Sequence, residues 1–211
     1  MLWLIAVAVL VVATFLAWRL ASSRASLPCP AWLSWLVELD NPLFRNNRAD
    51  AIIAGLELAP GMRCLDAGCG PGRLTLPMAR AVGPAGAVLA FDLQDAMLAK
   101  VEARARAAGL GNIGLRQGAL GSGALEAGAF DRATLATVLG EIPDQEAALA
   151  EIFAALEAGG VLAVTEVIAD PHFQTRPHVL RLAQAAGFRE PRLTGGALSY
   201  TLYLRKPVPG G

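Results

Sequence analysis

The stretch RCLDAGCGPGRLTLPMARAVG, residues 63–83, concentrates the residues most able to do chemistry. Gly68, Gly70 and Gly72 let a backbone turn sharply and come close to a ligand where a β-carbon would obstruct it. A dinucleotide-binding turn reads GxGxxG and aims amides and a helix N-terminus at a pyrophosphate. Here the third glycine comes one residue early and Arg73 takes the sixth position. Asp66, at the mouth of the turn, would repel a phosphate and attract an ammonium or sulfonium group. A second acid, Asp92, closes the apolar run AVLAFD. A carboxylate there accepts from both hydroxyls of a ribose and disfavours a 2′-phosphate. The expected guest joins a ribose to a cationic head and carries no pyrophosphate.

Such acids and glycines need a frame that puts them at one edge. From residue 51 onward strand-like and helix-like segments alternate, the pattern of a parallel sheet covered on both faces. Strands are expected over 63–67, 87–92, 112–117, 130–137 and 161–168. Between them, DAMLAKVEARARAAGL puts Met97, Val101, Ala105 and Ala108 on one helical face, and QEAALAEIFAALEAGG does the same with Ala148, Ile152, Ala155 and Leu156. A further helix is expected around 176–187. The closing segment holds two short β-like runs parted by Gly195 and Gly196, an antiparallel pair for the sheet edge.

S-adenosylmethionine is a ribose with a sulfonium head. LDAGCGPG at 65–72, FDLQDAM at 91–97, TVLGEIPD at 137–144 and LEAGGVLAVTEV at 156–167 together resemble the class I S-adenosylmethionine-dependent methyltransferases over residues 50–206. The resemblance implies an α/β, doubly wound, Rossmann-like sheet of seven strands ending in a reversed hairpin, with the cofactor across the carboxyl ends of the strands. By position, Asp66, Gly68 and Gly70 would line its methionine part, with Cys69 and Gly72 in the same turn. Asp92 and Leu93 would meet the ribose and adenine, Gly118 and Ala119 the adenine edge, and Thr137 the sulfonium side.

The sequence departs from that family twice. Ala119 stands where relatives usually carry an Asp that accepts from the adenine amino group, so a backbone carbonyl or water must serve. Gly140 stands where relatives often carry His, removing an imidazole that could act as base. Glu141 follows the fourth strand, where it would face the methyl group and hold a cationic amine or take its proton; its other role is a solvated acid flanking the next helix. Tyr200 and Tyr203 alternate with apolar residues and read as packing or as a site wall. His172 and His178, the two histidines, read as surface or loop structure. No metal-ligand spacing is visible, and Cys29, Cys64 and Cys69 form no CxxC pair.

Eighteen Lys and Arg against 18 Asp and Glu leave no net charge, which disfavours a nucleic-acid partner. Hydrophobic residues make up 55% and charged residues 17%, which suggests membrane contact. Met1–Trp18 carries no charge; about 27 Å of helix nearly spans the roughly 30 Å of hydrocarbon, so an anchor over 1–21 is expected. No Lys or Arg precedes the run, which counts against a cleaved leader, whose best cleavage site would fall in 21–25. Arg19 and Arg24 orient the domain that follows, 50–207, into the cytoplasm. All four tryptophans, Trp3, Trp18, Trp32 and Trp35, fall in the first 35 residues. Residues 22–49 read as an interfacial or lid segment, lying on the bilayer or packed on the domain. Arg45 and Arg48 could hold a lipid phosphate or snorkel as anchors.

A tethered domain meets lipid-borne molecules at high local concentration, so the expected acceptor is a lipid amine such as phosphatidylethanolamine, and after it a quinone or other small hydrophobic molecule. A nicotinamide-dependent oxidoreductase would share the sheet and Asp92, but Asp66 and the early third glycine count against it. An inactive cofactor-binding scaffold is favoured only by Ala119. The oligomeric state is not legible.

Overall fold

The computed structural model describes residues 45–210, together with Trp3 and Val7. The rest of the expected anchor and of the segment up to residue 44, with Trp18, Trp32, Trp35 and Cys29, lies outside the described residues. Among the described residues no helix is long and apolar enough to cross a membrane.

Seven strands form one sheet in the order β3-β2-β1-β4-β5-β7-β6. They are β1 (Arg63–Ala67), β2 (Ala87–Asp92), β3 (Ile113–Gln117), β4 (Phe130–Ala136), β5 (Leu156–Val167), β6 (Arg189–Gly195) and β7 (Ser199–Arg205). Strands β1 to β5 are parallel, and β7 runs antiparallel to both β5 and β6. The seven strands and the reversed hairpin are those the resemblance implies. Gly195, at φ 89°, and a 2.7 Å bond from Gly196 N to Ser199 O close the hairpin.

Among the described residues five helices cover the sheet: α1 (Ala49–Leu56), α2 (Thr75–Val82), α3 (Asp95–Ala107), α4 (Gln145–Ala155) and α5 (Arg176–Ala186). Alternation along β1 sends Leu65 and Ala67 to the face where Leu149 and Ile152 of α4 and Val179 of α5 pack. Cys64 points the other way, to Ile52 and Leu56 of α1 and Met78 and Val82 of α2. Leu98 and Val101 of α3 pack with Leu76 and Ala90 beside them. The central strands are buried on both faces, which is why they read as nearly continuous apolar runs. The short 3-10 turn Arg45–Asn47 and the start of α1, placed by the sequence in the lid segment, lie against the sheet: Asn46 Nδ2 donates to Ser199 Oγ at 2.9 Å.

Several boundaries differ from the sequence reading, β3 starting at Ile113 rather than 112 and β5 ending at Val167 rather than 168. Helix α4 stops at Ala155 and β5 starts at Leu156, five residues before the expected 161, because Leu156 pairs with Phe130 across an irregularity in the β4 register. The amides of Gly128 and Ala129 take the last carbonyls of α4, at 2.9 and 2.8 Å, so strand pairing overrides the helical spacing. Ala108 caps α3 and is exposed, while Met97, Val101 and Ala105 are buried as expected. Strand β4 ends at Ala136, since Thr137 turns to φ 55°, outside the extended region.

Candidate active site

The glycine turn joins β1 to α2, and its backbone nitrogens are all committed inside the protein. Gly68 N and Cys69 N donate to Phe91 O at 2.7 and 3.0 Å, Gly70 N donates to Asp92 Oδ2 at 2.8 Å, and Gly72 N donates to Cys69 O at 3.0 Å. Pro71 has no N–H to give. A pyrophosphate would therefore find no donor along 68–72. All three glycines sit at positive φ, between 51° and 90°. A β-carbon on Gly72 would strike Leu76, and one on Gly68 would strike Val138 at 2.6 Å, so these two let α2 and the segment after β4 close in. A β-carbon on Gly70 would meet nothing within 4 Å, which leaves open space at that residue.

Asp92 ends β2 with both oxygens engaged: Oδ2 takes the Gly70 amide and Oδ1 takes Gln94 N, each at 2.8 Å. Each carboxylate oxygen offers a further lone pair, enough for two ribose hydroxyls. Burial raises the affinity of Asp92 for a proton, and the amides of Gln94, Gly70 and Leu93 oppose that rise.

Asp66 lies beneath the turn rather than at its mouth. It is the fourth residue of β1, 2% exposed, and its side chain takes the sheet face covered by α2. Thr75 Oγ1 donates to Oδ2 at 2.6 Å and Thr134 Oγ1 donates to Oδ1 at 2.7 Å, so the carboxylate ties β1 to α2 and β4. Desolvation raises its proton affinity, and the two hydroxyls oppose the rise. Its influence on a ligand is through its field. Burial first, then the charges of Asp66 and Asp92, push the Cys69 thiol well up, and these two acids lie next to the turn. That favours a cation over a phosphate.

The other expected contacts fall along the same edge. Leu93, 55% exposed, offers an apolar face next to Asp92. Gly118 N donates to Asp92 O at 3.0 Å, and a β-carbon there would run into Phe91 at 2.6 Å. Ala119 is exposed, and its carbonyl accepts from Ser122 Oγ at 2.7 Å. Thr137 is a β-branched residue held in the left-handed region, a conformation that persists only where the surroundings enforce it. Its amide donates to Thr165 O at 2.8 Å and its hydroxyl to Ala136 O at 2.7 Å.

Glu141 closes the 3-10 turn Leu139–Glu141 directly after this bend, with its side chain 18% exposed. Sequence reasoning missed its neighbour. His172 is buried at 6%, with Nδ1 3.8 Å from Glu141 Oε1. The absent side chain at Gly140 was the signal available: a β-carbon there would collide with the His172 carbonyl. His178 has a structural place, its Nε2 2.8 Å from Gln145 Oε1 and its Nδ1 2.8 Å from Arg181 Nη2, joining α4 to α5. Tyr200 and Tyr203 are buried; the Tyr200 hydroxyl donates to Gln174 O, while Arg192 lies 4.2 Å over the Tyr203 ring. Among the described residues no group of three or more His, Cys, Asp or Glu is placed to hold a metal ion.

A family model described as a methyltransferase domain matches residues 58–186. The chain belongs to the methyltransferase domain family. Nocamycin O-methyltransferase of Saccharothrix syringae is 34% identical over 112 residues, 53% of this chain and 40% of that protein. Demethylmenaquinone methyltransferase of Lactococcus lactis is 35% identical over 100 residues, 47% of this chain and 40% of that protein. The chain thus spans about two fifths of the length of these relatives. In fold, this methyltransferase domain is similar to a SAM dependent methyltransferase from Aquifex aeolicus, with a TM-score of 0.74 at 19% identity, covering 85% of this chain and all of that one. The glycine turn, Asp92, Thr137 and Glu141 all lie within the matched residues.

Proposed function

We propose that this domain transfers the methyl group of S-adenosylmethionine to a small hydrophobic acceptor, with a quinone-type ring first and a lipid amine second. The observation that carries the cofactor reading is the turn itself, whose amides at 68, 69, 70 and 72 are all spent internally beside a carboxylate with lone pairs to spare. A nicotinamide dinucleotide would need those donors, so the oxidoreductase alternative loses its anchor.

When bound, S-adenosylmethionine supplies a methyl carbon on a sulfonium: the acceptor's electron pair forms the new bond to carbon while the carbon–sulfur pair stays on sulfur. The residues of this chain then have three tasks. Asp92 holds the ribose, Leu93 and the 118–119 backbone border the adenine, and the bend at Thr137 shapes the wall next to the reacting atoms. Positioning of this kind removes the entropy of encounter, which is much of what an in-line displacement requires. Glu141 can receive a proton from the acceptor.

The quinone-type acceptor is supported by the likeness to demethylmenaquinone methyltransferase of Lactococcus lactis. The acid group near Glu141 favours a cationic amine and keeps the lipid amine as a second reading. The uncharged run 1–18 supports a membrane anchor with the domain on the cytoplasmic side, which would bring either acceptor within reach. The balanced charge speaks against RNA or DNA as the acceptor.

The test incubates the full chain in detergent with methyl-labelled cofactor and a total quinone and lipid extract, then identifies the labelled species by chromatography. Label in a quinone fraction supports the first reading, and label in phosphatidylethanolamine replaces it with the second. A water-soluble product defeats both. Protease protection of tagged chains in membrane vesicles checks the anchor and its orientation.

A further inference from the structure

Beyond the cofactor turn, the carboxyl ends of β4 and β5 carry a second group of chemically able side chains that the sequence reading scattered. The segment after β5 folds back over Gly140, and a β-carbon at 140 would meet Gln174 Nε2 at 2.6 Å as well as the His172 carbonyl. That segment is pinned from several sides. His172 N donates to Asp170 Oδ1 at 2.7 Å, Gln174 Nε2 to His172 O at 2.7 Å, Gln174 N to Glu166 Oε2 at 3.0 Å, and the Tyr200 hydroxyl to Gln174 O at 2.7 Å.

This folding delivers a buried imidazole to Glu141. His172 Nδ1 stands 3.8 Å from Glu141 Oε1 and 3.9 Å from Asp170 Oδ1, with the ring 5% exposed. Behind it, Glu166 is 1% exposed, and its Oε1 has no hydrogen-bond partner among the described residues. Burial, together with the charges of Asp170 and Glu141, pushes the Glu166 carboxyl up to about 8. A solvated acidic face would show neither a buried imidazole between carboxylates nor an unpartnered buried carboxyl oxygen.

We propose that His172 is the positioning residue of Glu141, and that Glu141 forms the acceptor end of the site, which takes a neutral or cationic N–H or O–H group. The inference rests on the methyl-transfer reading. The N–H bond of an amine, or the O–H bond of a quinone-type ring in its reduced quinol form, breaks, its electron pair stays on the acceptor, and the proton passes to a Glu141 carboxylate oxygen. The His172 ring, 3.8 Å from that carboxylate, fixes its place by packing, and Glu166, protonated below about 8, adds a neutral acid to the group. The His172 carbonyl and β-carbon, with Gln174 Nε2, occupy the space left free by Gly140.

The test uses the full chain with the labelled cofactor and the quinone and lipid extract named above, on Glu141→Gln, His172→Gln and His172→Asn. Glu141→Gln is expected to lower kcat about 100-fold, the usual worth of a positioned base. Each His172 variant should lower it at least tenfold, with the affinity for S-adenosylhomocysteine within twofold of wild type, and the double variant should be no slower than Glu141→Gln alone. Nitrogen-15 spectra of the two histidine rings give a readout independent of turnover: Glu141→Gln should move the His172 ring signals and leave those of His178 in place. Wild-type kcat in both His172 variants, or unmoved His172 signals in Glu141→Gln, overturns the inference while the methyl-transfer reading stands. No labelled product from wild type would instead strike at that reading, with the ring spectra still deciding whether the pair exists.

Discussion

The Gly70 amide donates to Asp92 Oδ2 at 2.8 Å, across the gap between the glycine turn and the end of β2. One carboxylate thereby fixes the turn and, in the proposed site, is the group that would face the ligand. It consumes the donor that a phosphate would need and keeps lone pairs for hydroxyls.

Replacing Asp92 with Asn turns an acceptor into a group that also carries N–H donors, set against the Gly70 and Gln94 amides. The expected result is at least a tenfold loss of S-adenosylhomocysteine affinity, about 1.4 kcal/mol, read by calorimetry. An unchanged affinity would remove Asp92 from the site.

Gly70→Ala separates the ligand from the fold. The β-carbon meets open space, so the free protein bears only the cost of a left-handed alanine, about 1 to 2 kcal/mol in denaturant unfolding. Cofactor affinity should fall more than that, by at least 30-fold, because the β-carbon fills the approach.

Asp66 should behave as a brace. Asp66→Ala leaves the buried Thr75 and Thr134 hydroxyls without their acceptor, and about 2 to 3 kcal/mol of unfolding free energy should be lost. Full stability with abolished cofactor binding would instead return Asp66 to direct contact with the ligand.

Glu166 gives a pH signature with a definite sign. Its carboxyl is raised from 4.5 to about 8 in the fold, so between those values the folded state holds more protons than the unfolded one. Stability therefore falls as pH rises through that window and levels off above about 8. Gln174 N donates to Glu166 Oε2, and Asp170 and Glu141 add negative charge, so the slope belongs to this group of residues. Glu166→Gln should raise the melting temperature more at pH 8 than at pH 5. An equal change at both would contradict the assignment.

Local chemistry was legible where the chain makes its own turn. The three glycines, the acid ending β2 and the closing hairpin are each set by a few neighbouring residues. Asp66 was misplaced because its role depends on which strand residues face which helix; Cys64 and Asp66 share one side of β1, and only the pairing with Thr134 shows what waits there. His172 was hidden for a similar reason. Nothing near it in sequence shows that β5 returns it to Gly140, some 30 residues earlier in the chain. The α4–β5 boundary was obscured because Leu156 satisfies a helical spacing as well as a strand.

The most direct measurement is calorimetric titration of the full chain in detergent with S-adenosylhomocysteine and, separately, with oxidised and reduced nicotinamide dinucleotides. Saturable binding of the thioether nucleoside, with heat at the dilution baseline for the dinucleotides, is the expected result. A dinucleotide that binds while S-adenosylhomocysteine does not would show that the turn accepts a diphosphate after all.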